Sequence, residues 1–333
     1  MNLLELLNDK DNILVLGHHN ADPDAACSMI AFSELYGAIN PKGKFTLACD
    51  DVSRLAKQVL ENLAPEIEIL ETLENQFDFV VVLDTNSELQ LGEKFEDHVS
   101  DPSKVLVIDH HEENPEISSF ASHTIVMSDR SSTCEVLTAL HKEYNIPISA
   151  PSANLLLTGM LFDTRRFFYA DKRTLEIAAR LIETGADYTK CIRSLVIRPN
   201  RSERIARLKA AGRLEVHIID DWIIVTAKIG AYEASACRGM IDLGADVAIV
   251  GGKPSKEIVR ISARSTQEFS EQTRVNLGKD IMEPIGELID GKGGGHSNAA
   301  GANGKRNRKK ALARSVELIR EAIKKNQDEP RLG

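Results

Sequence analysis

Aromatic residues are scarce, five per cent of 333 residues with a single tryptophan. Gripping a long single strand by stacking successive bases needs aromatic platforms, so that mode has little to draw on. Cysteine occurs five times, as Cys27, Cys49, Cys134, Cys191 and Cys237, never in C-x-x-C spacing. That excludes a disulfide framework and a thiolate zinc site and leaves small core residues. No apolar run approaches the roughly 20 residues of a membrane span, so no membrane association is expected. The opening Met1 to Asn12 lacks the basic end and cleavage site of a secretory signal, which predicts a cytoplasmic location. A basic excess is missing too. The formal net charge of −9 opposes tracking along duplex nucleic acid, which rests on a broad basic surface. Internal repeats and low-complexity tracts are absent from the sequence.

What is present is an ordinary soluble composition, long enough for two domains. Residues 1 to 110 carry 7 Lys and Arg against 21 Asp and Glu, leaving the remainder net positive. In the first half, strand-like and helix-like segments alternate, the signature of a doubly wound, mainly parallel α/β sheet. The expected strands are Ile13 to Gly17, Lys44 to Ala48, Glu66 to Leu70, Phe79 to Asp84 and Val105 to Asp109. A helix should begin near Asp24, with Asp24 readable as its N-cap, and end at Gly37; others are expected over Val52 to Leu63, Ser131 to Tyr144, Ser152 to Leu161 and Leu175 to Glu183. Loops between them should be short. An arginine-rich segment from Arg193 to Arg213, broken by Pro199, predicts a connector leading into a charged helix. The expected division is therefore 1–190, a linker at 191–212, and a smaller α+β domain at 213–333. That second domain should open with a hairpin and close on the glycine cluster Gly293-Gly294-Gly295-His296, leading into a helix-capable region.

Three of the first-half strands release potential metal ligands at their carboxyl ends. Ile13 to Gly17 is followed by His18-His19-Asn20-Ala21-Asp22-Pro23-Asp24, Phe79 to Leu83 delivers Asp84, and Val105 to Ile108 delivers Asp109-His110-His111. Ligands of open parallel sheets collect outside the carboxyl ends of the strands, so one convergent site is expected. Singly, each motif reads as turn or cap chemistry. Together they supply hard oxygens and neutral imidazole, the donors that suit Mn²⁺ and comparable ions. His18, Asp22, Asp24, Asp84, His110 and Asp163 exceed the ligands one ion takes from protein, which points to two ions with Asp84 between them.

The motifs His18-x-x-x-Asp22-x-Asp24, Asp84-Thr85-Asn86, Asp109-His110-His111, Phe162-Asp163-Thr164 and Gly293-Gly294-Gly295-His296 with Ala299-Ala300-Gly301 occur in this order across most of the chain. In them the chain resembles the DHH phosphoesterase superfamily, in its DHH plus DHHA1 branch. The resemblance implies a catalytic domain with a binuclear manganese site, Mg²⁺ or Co²⁺ being alternatives. It implies that His18 and Asp22 hold one ion and Asp24, His110 and Asp163 the other, with Asp84 shared. Asp109 would orient ligands, His111 would face the scissile phosphate, and Arg264, Ser265 and Gly293 to His296 would bind substrate phosphate.

The implied activity is hydrolysis of short single-stranded oligonucleotides, as in nanoRNases with 3′-5′ oligoribonuclease-like action, and of 3′-phosphoadenosine 5′-phosphate. A cyclic-dinucleotide phosphodiesterase, a RecJ-like single-strand exonuclease and a non-catalytic scaffold stand as alternatives. Phe167, Phe168 and Tyr169 are the candidates for base stacking, with core packing as the competing use. A homodimer is compatible with the sequence, which does not specify one.

Overall fold

A computed structural model describes residues 2–73 and 76–328, which divide into two compact units, Met1–Ile197 and Arg198–Gly333. Unit 1 comprises α1 (Leu3–Leu7), β1 (Asn12–Leu16), α2 (Pro23–Ile39), β2 (Lys44–Ala48), α3 (Arg54–Leu63), β3 (Phe79–Leu83), β4 (Val105–Asp109), β5 (His123–Val126), α4 (Thr133–Glu143), α5 (Ala150–Asp163), α6 (Lys172–Glu183) and α7 (Tyr188–Ser194). Its five strands are all parallel, in the order β2-β1-β3-β4-β5. Successive residues of a strand face opposite ways, so Ile13 and Val15 pack with α2, α4 and α5, whereas Leu14 and Leu16 pack on the reverse face against Leu91, Phe95 and Phe120. The strand order reverses between β1 and β3, and the crevice at such a switch point is where α/β sheets bind ligands.

Four sequence-based expectations change. Glu66 to Leu70 forms no strand; only Leu70 reaches the sheet, donating to the Leu47 carbonyl and accepting from the Cys49 N–H. Ile67 and Ile69 pack against core without extending the ladder. The helix begun near Asp24 is capped instead by Asp22, whose side chain accepts from the Asp24 and Ala25 N–H groups. It runs past Gly37 to Ile39 and stops at Asn40, where Pro41 cannot continue it. Nor are the loops short between Asp84 and Ser122. That stretch crosses the second face of the sheet as 3₁₀ turns at Glu88–Gln90, Glu96–Val99, Pro102–Lys104 and Ile117–Ser119.

Unit 2 comprises α8 (Arg201–Ala211), β6 (Glu215–Ile219), β7 (Trp222–Lys228), α9 (Glu233–Asp242), β8 (Val247–Ser255), β9 (Ile258–Ser265), α10 (Gln267–Thr273), a π-helical turn Leu277–Met282, α11 (Glu283–Leu288), β10 (Lys292–Gly295), β11 (Ala299–Gly304) and α12 (Arg308–Asp328). The division between the units falls inside 191–212, a stretch that also contains the end of α7 and all of α8. Its six-stranded sheet runs β10-β11-β9-β8-β7-β6. Only β7 and β8 pair in parallel, joined through α9; the other pairs are antiparallel. One face packs on α10, α11 and α12, the other on α8 and α9. The helix-capable region beyond the glycine cluster is α12, and the cluster itself is paired. It forms the edge strand β10, and Ala299–Gly304 returns beside it as β11.

Candidate metal centre

Every ligand predicted for the metals comes to the carboxyl ends of β1, β3 and β4. His18 and Asp22 lie in the loop leaving β1, where Asp22 spends one oxygen on capping α2. Asp24, fully buried two residues on, accepts from the Thr133 N–H at 2.6 Å and the Cys134 N–H at 3.1 Å. Those donors are unpaired backbone groups at the start of α4, where a carboxylate is favoured. Gly159 of α5 makes room for this contact, since a Cβ there would overlap Asp24 Oδ1 and Cys134 Sγ.

Asp84 follows β3 in a left-handed conformation, φ +65°, and is 3% exposed. Such strain persists only where the surroundings enforce it and clusters at functional sites. Thr133 Oγ1 donates to Asp84 Oδ1 at 2.7 Å. His18 Nε2 lies 3.8 Å from the other oxygen of Asp84, and His110 Nε2 lies 3.6 Å from Oδ1. Asp163, the last residue of α5, stands 3.2 Å from His110 Nε2. Asp109, wholly buried, accepts from His111 Nδ1 at 2.8 Å, and the His111 side chain is itself 57% exposed.

Crowding of acids sets the electrostatics. Burial pushes the Asp24 carboxyl up to about 7, with the Asp163 charge adding to it. Burial likewise raises Asp84 far above the carboxylate range, helped by Asp24 and Asp22, and raises Asp22, helped by Asp163. Burial pulls His110 the other way, but Asp163, Asp24 and Asp109 outweigh it and lift the imidazole to about 9. The hydrogen bond that the His111 ring donates to Asp109 raises His111. A pocket of mutually repelling carboxylates is the arrangement that bound cations relieve.

The donor set fits divalent ions. Three groupings bring one ligand atom per residue within 4.8 Å of the others: His18, Asp22 and Asp84; Asp24, Asp84, His110 and Asp163; and Asp84, Asp109, His110 and His111. Asp84 belongs to all three. Among the described residues, His110 Nε2 and Asp109 Oδ2 are buried without a hydrogen bond, and an unpaired, buried imidazole nitrogen beside carboxylates suits a metal ligand.

The cluster lines a pocket of about 610 Å³. Sequence reasoning missed several of its walls, among them His19, Asp50, Leu89, Gln90 and Glu93. Asp50 pairs with Lys94 at 2.5 Å and His19 at 3.3 Å. Thr133 and Cys134 were missed as well, because a Ser-Ser-Thr start reads simply as a helix cap. After Asp163 the chain turns through three left-handed residues, Arg165, Arg166 and Phe167. Phe167 packs on Tyr188, whereas Phe168 and Tyr169 stand 79% and 59% exposed.

In unit 2 the other predicted residues meet at one end of the β9–β11 ladder. Arg264 is in register with Ala299, and the Ser265 N–H donates to the Asn298 carbonyl at 3.1 Å. Ser265 Oγ is buried without a partner, and His296 is exposed. Gly293 has a packing reason, since a Cβ would overlap the Met282 carbonyl; Gly295 has a conformational one, φ +137°. Gly294 has neither, and a Cβ there would meet nothing within 4 Å.

The model of the DHH family, N-terminal domain, matches residues 12–160, and that of the DHHA1 domain matches 227–325. The chain belongs to the DHH superfamily of phosphoesterases. It is 34% identical over 323 residues to the uncharacterized protein MJ0988 of Methanocaldococcus jannaschii, covering 96% of this chain and 94% of that one. It is 24% identical to the probable bifunctional oligoribonuclease and PAP phosphatase NrnA of Streptococcus mutans, over 90% of this DHH chain and 92% of NrnA. The cyclic-di-AMP phosphodiesterase GdpP of Geobacillus thermodenitrificans is 26% identical over 90% of this chain but only 45% of its own length. Among solved structures, an exopolyphosphatase-related protein from Bacteroides fragilis shares the fold with a TM-score of 0.61, 18% identity and coverage of 97% and 96%. No helix among the described residues is long and apolar enough to cross a membrane.

Proposed function

We propose that this DHH protein uses two divalent ions, Mn²⁺ first among them, to hydrolyse phosphoester bonds of short oligonucleotides and of 3′-phosphoadenosine 5′-phosphate. The observation that carries this reading is Asp84, buried, strained and common to every ligand grouping at the floor of the pocket. His18 and Asp22 would hold one ion and Asp24, His110 and Asp163 the other, with Asp84 shared. Ions held there supply Lewis acidity toward phosphoryl oxygens and make a water acidic enough to attack phosphorus near neutral pH.

The chain's own residues then position and select. Thr133 and the start of α4 fix Asp84 and Asp24. Asp109 holds the His111 ring through Nδ1 at the pocket lining, where its other nitrogen would donate to the scissile phosphate. Phe168 and Tyr169, set outward beyond Asp163, offer faces on which nucleobases stack. In unit 2, Arg264, Ser265, Gly294 and His296 bind a substrate phosphate, with Gly294 the glycine that keeps the approach open. Glu93 at the pocket wall repels additional phosphates, which favours short substrates. The name carried by the Streptococcus mutans relative supports the same substrate class.

Product analysis with Mn²⁺ on dinucleotides, a long single strand, 3′-phosphoadenosine 5′-phosphate and cyclic dinucleotides tests this. Dinucleotides and the bisphosphate should give the highest kcat/KM. A cyclic dinucleotide turned over fastest, or a long strand cleaved as fast as a dinucleotide, would replace this reading with the corresponding alternative.

A further inference from the structure

Unit 1 contains a second cavity, of about 500 Å³, in the groove between α4 and α6. Helical spacing builds its walls. Thr138, Ala139 and Lys142 of α4 face Ile177, Arg180 and Leu181 of α6, each set at intervals of three and four residues. Ile146 and Ile148, from the connection after α4, complete an aliphatic floor.

Cations crowd this groove although the chain as a whole is acidic. Two of them are spent: Arg130 and Arg173 reach the buried Glu135 at 3.5 and 3.1 Å, and Arg173 also pairs with Asp129 at 2.6 Å. The single acid of the lining, Glu176, pairs with Lys172 at 3.6 Å. Lys142 and Arg180 have no ion-pair partner among the described residues, and Arg130 Nε is buried without a hydrogen bond. Free cations beside an aliphatic floor favour a ligand that answers both features.

We propose that the α4–α6 groove binds a small amphiphilic anion, an alkyl or aryl body carrying one carboxylate or phosphate. The body covers Ile146, Ile148, Ile177 and Leu181, and the headgroup meets Lys142 and Arg180. The volume suits such a molecule, since ligand cavities span about 300 to 1,000 Å³. A bare inorganic anion leaves the aliphatic floor wet, and a neutral apolar molecule leaves both cations unanswered. The groove also adjoins the metal centre through α4. Glu135, held by Arg130 and Arg173, lies in the same helical turn as Thr133 and Cys134, whose N–H groups hold Asp24.

Titration of the full chain with the fluorescent anion 8-anilinonaphthalene-1-sulfonate tests the site. One saturable site is expected, and the double variant Lys142→Glu/Arg180→Glu should weaken it by about tenfold or more, the scale of one lost charge contact. The variant Ile177→Asp should weaken it too, through the floor. Reversal of two cations in unit 2, Lys309→Glu/Lys310→Glu, should change nothing. Octanoate and octyl phosphate should displace the dye, and their relative potency identifies the preferred headgroup; octanol should displace it poorly. Unchanged dye affinity in a folded Lys142→Glu/Arg180→Glu protein, or displacement by octanol as strong as by either anion, overturns the proposal.

Discussion

In unit 1 the candidate site is a crowd of acidic and imidazole side chains, and in unit 2 the candidate residues stand at the end of a glycine-rich hairpin. Asp24, Asp84 and His110 of unit 1 are crowded together and pushed to unusual pKa values, and Asp84 is strained besides. The β10–β11 hairpin of unit 2 is exposed at His296 and has glycines where side chains cannot fit. The first arrangement concentrates negative charge and suits cations; the second has open space beside the chain at Gly294, where an anion has room to approach. A phosphoester substrate and its activating ions need both kinds of surface.

The largest effect that separates the two regions belongs to Asp84. Asp84→Ala should lower kcat roughly 1,000-fold or more, since the Lewis acidity it helps to hold is worth several kcal/mol and each 1.36 is tenfold. Metal content measured by mass spectrometry should fall to one ion or none per chain. Near-wild-type turnover with two ions bound would remove Asp84 from the centre of the site. Thr133→Val tests the support beneath it. With the hydroxyl gone, Asp84 Oδ1 loses its partner, and metal affinity should drop about 10–100-fold while substrate KM at saturating metal stays near its original value.

A pH series on metal-free protein addresses the same charges through stability. Asp24 is lifted from 3.8 to about 7 and His110 from 6.5 to about 9. Both shifts mean that the folded chain binds more protons than the unfolded one. Stability therefore falls as pH rises, first between 3.8 and about 7 as Asp24 ionises, then up to about 9 as His110 loses its charge. Tm of the chelated protein should decline across that range, and saturating Mn²⁺ should flatten the decline. A chelated protein whose Tm climbs through neutrality would contradict the crowding of these groups.

The contrast between the units also explains what the sequence disclosed. Apolar runs ending in Asp or His are written plainly at β1, β3 and β4, because both periodicity and ligand type are side-chain properties. Thr133 was invisible as a ligand support, since the same Ser-Ser-Thr serves any capped helix. Glu66 to Leu70 alternates like a strand but lies beyond β2, where only Leu70 finds a backbone partner. The edge strand β5 is four residues long and only partly buried, too short for its alternation to stand out. The glycines of β10 gave no strand signal for a related reason. A residue without a side chain has no periodicity to read, so hairpin and loop look alike until the π-helical turn beside them is in place.

That ambiguity makes the glycine trio the finest division between the regions. Gly293 meets the Met282 carbonyl and Gly295 adopts φ +137°, so Gly293→Ala and Gly295→Ala should lower Tm whether or not substrate ever binds there. Gly294 faces open space, and Gly294→Ala should leave Tm and metal content unchanged. If a phosphate approaches the backbone at this point, the added methyl stands in its way, and KM for a dinucleotide should rise several-fold, on the order of 1 kcal/mol in kcat/KM. His296→Ala, which removes an exposed side chain, should act in the same direction without altering the metal centre. A Gly294→Ala protein with unchanged KM would mean that the whole run is a packing device, with unit 2 binding substrate elsewhere or not at all.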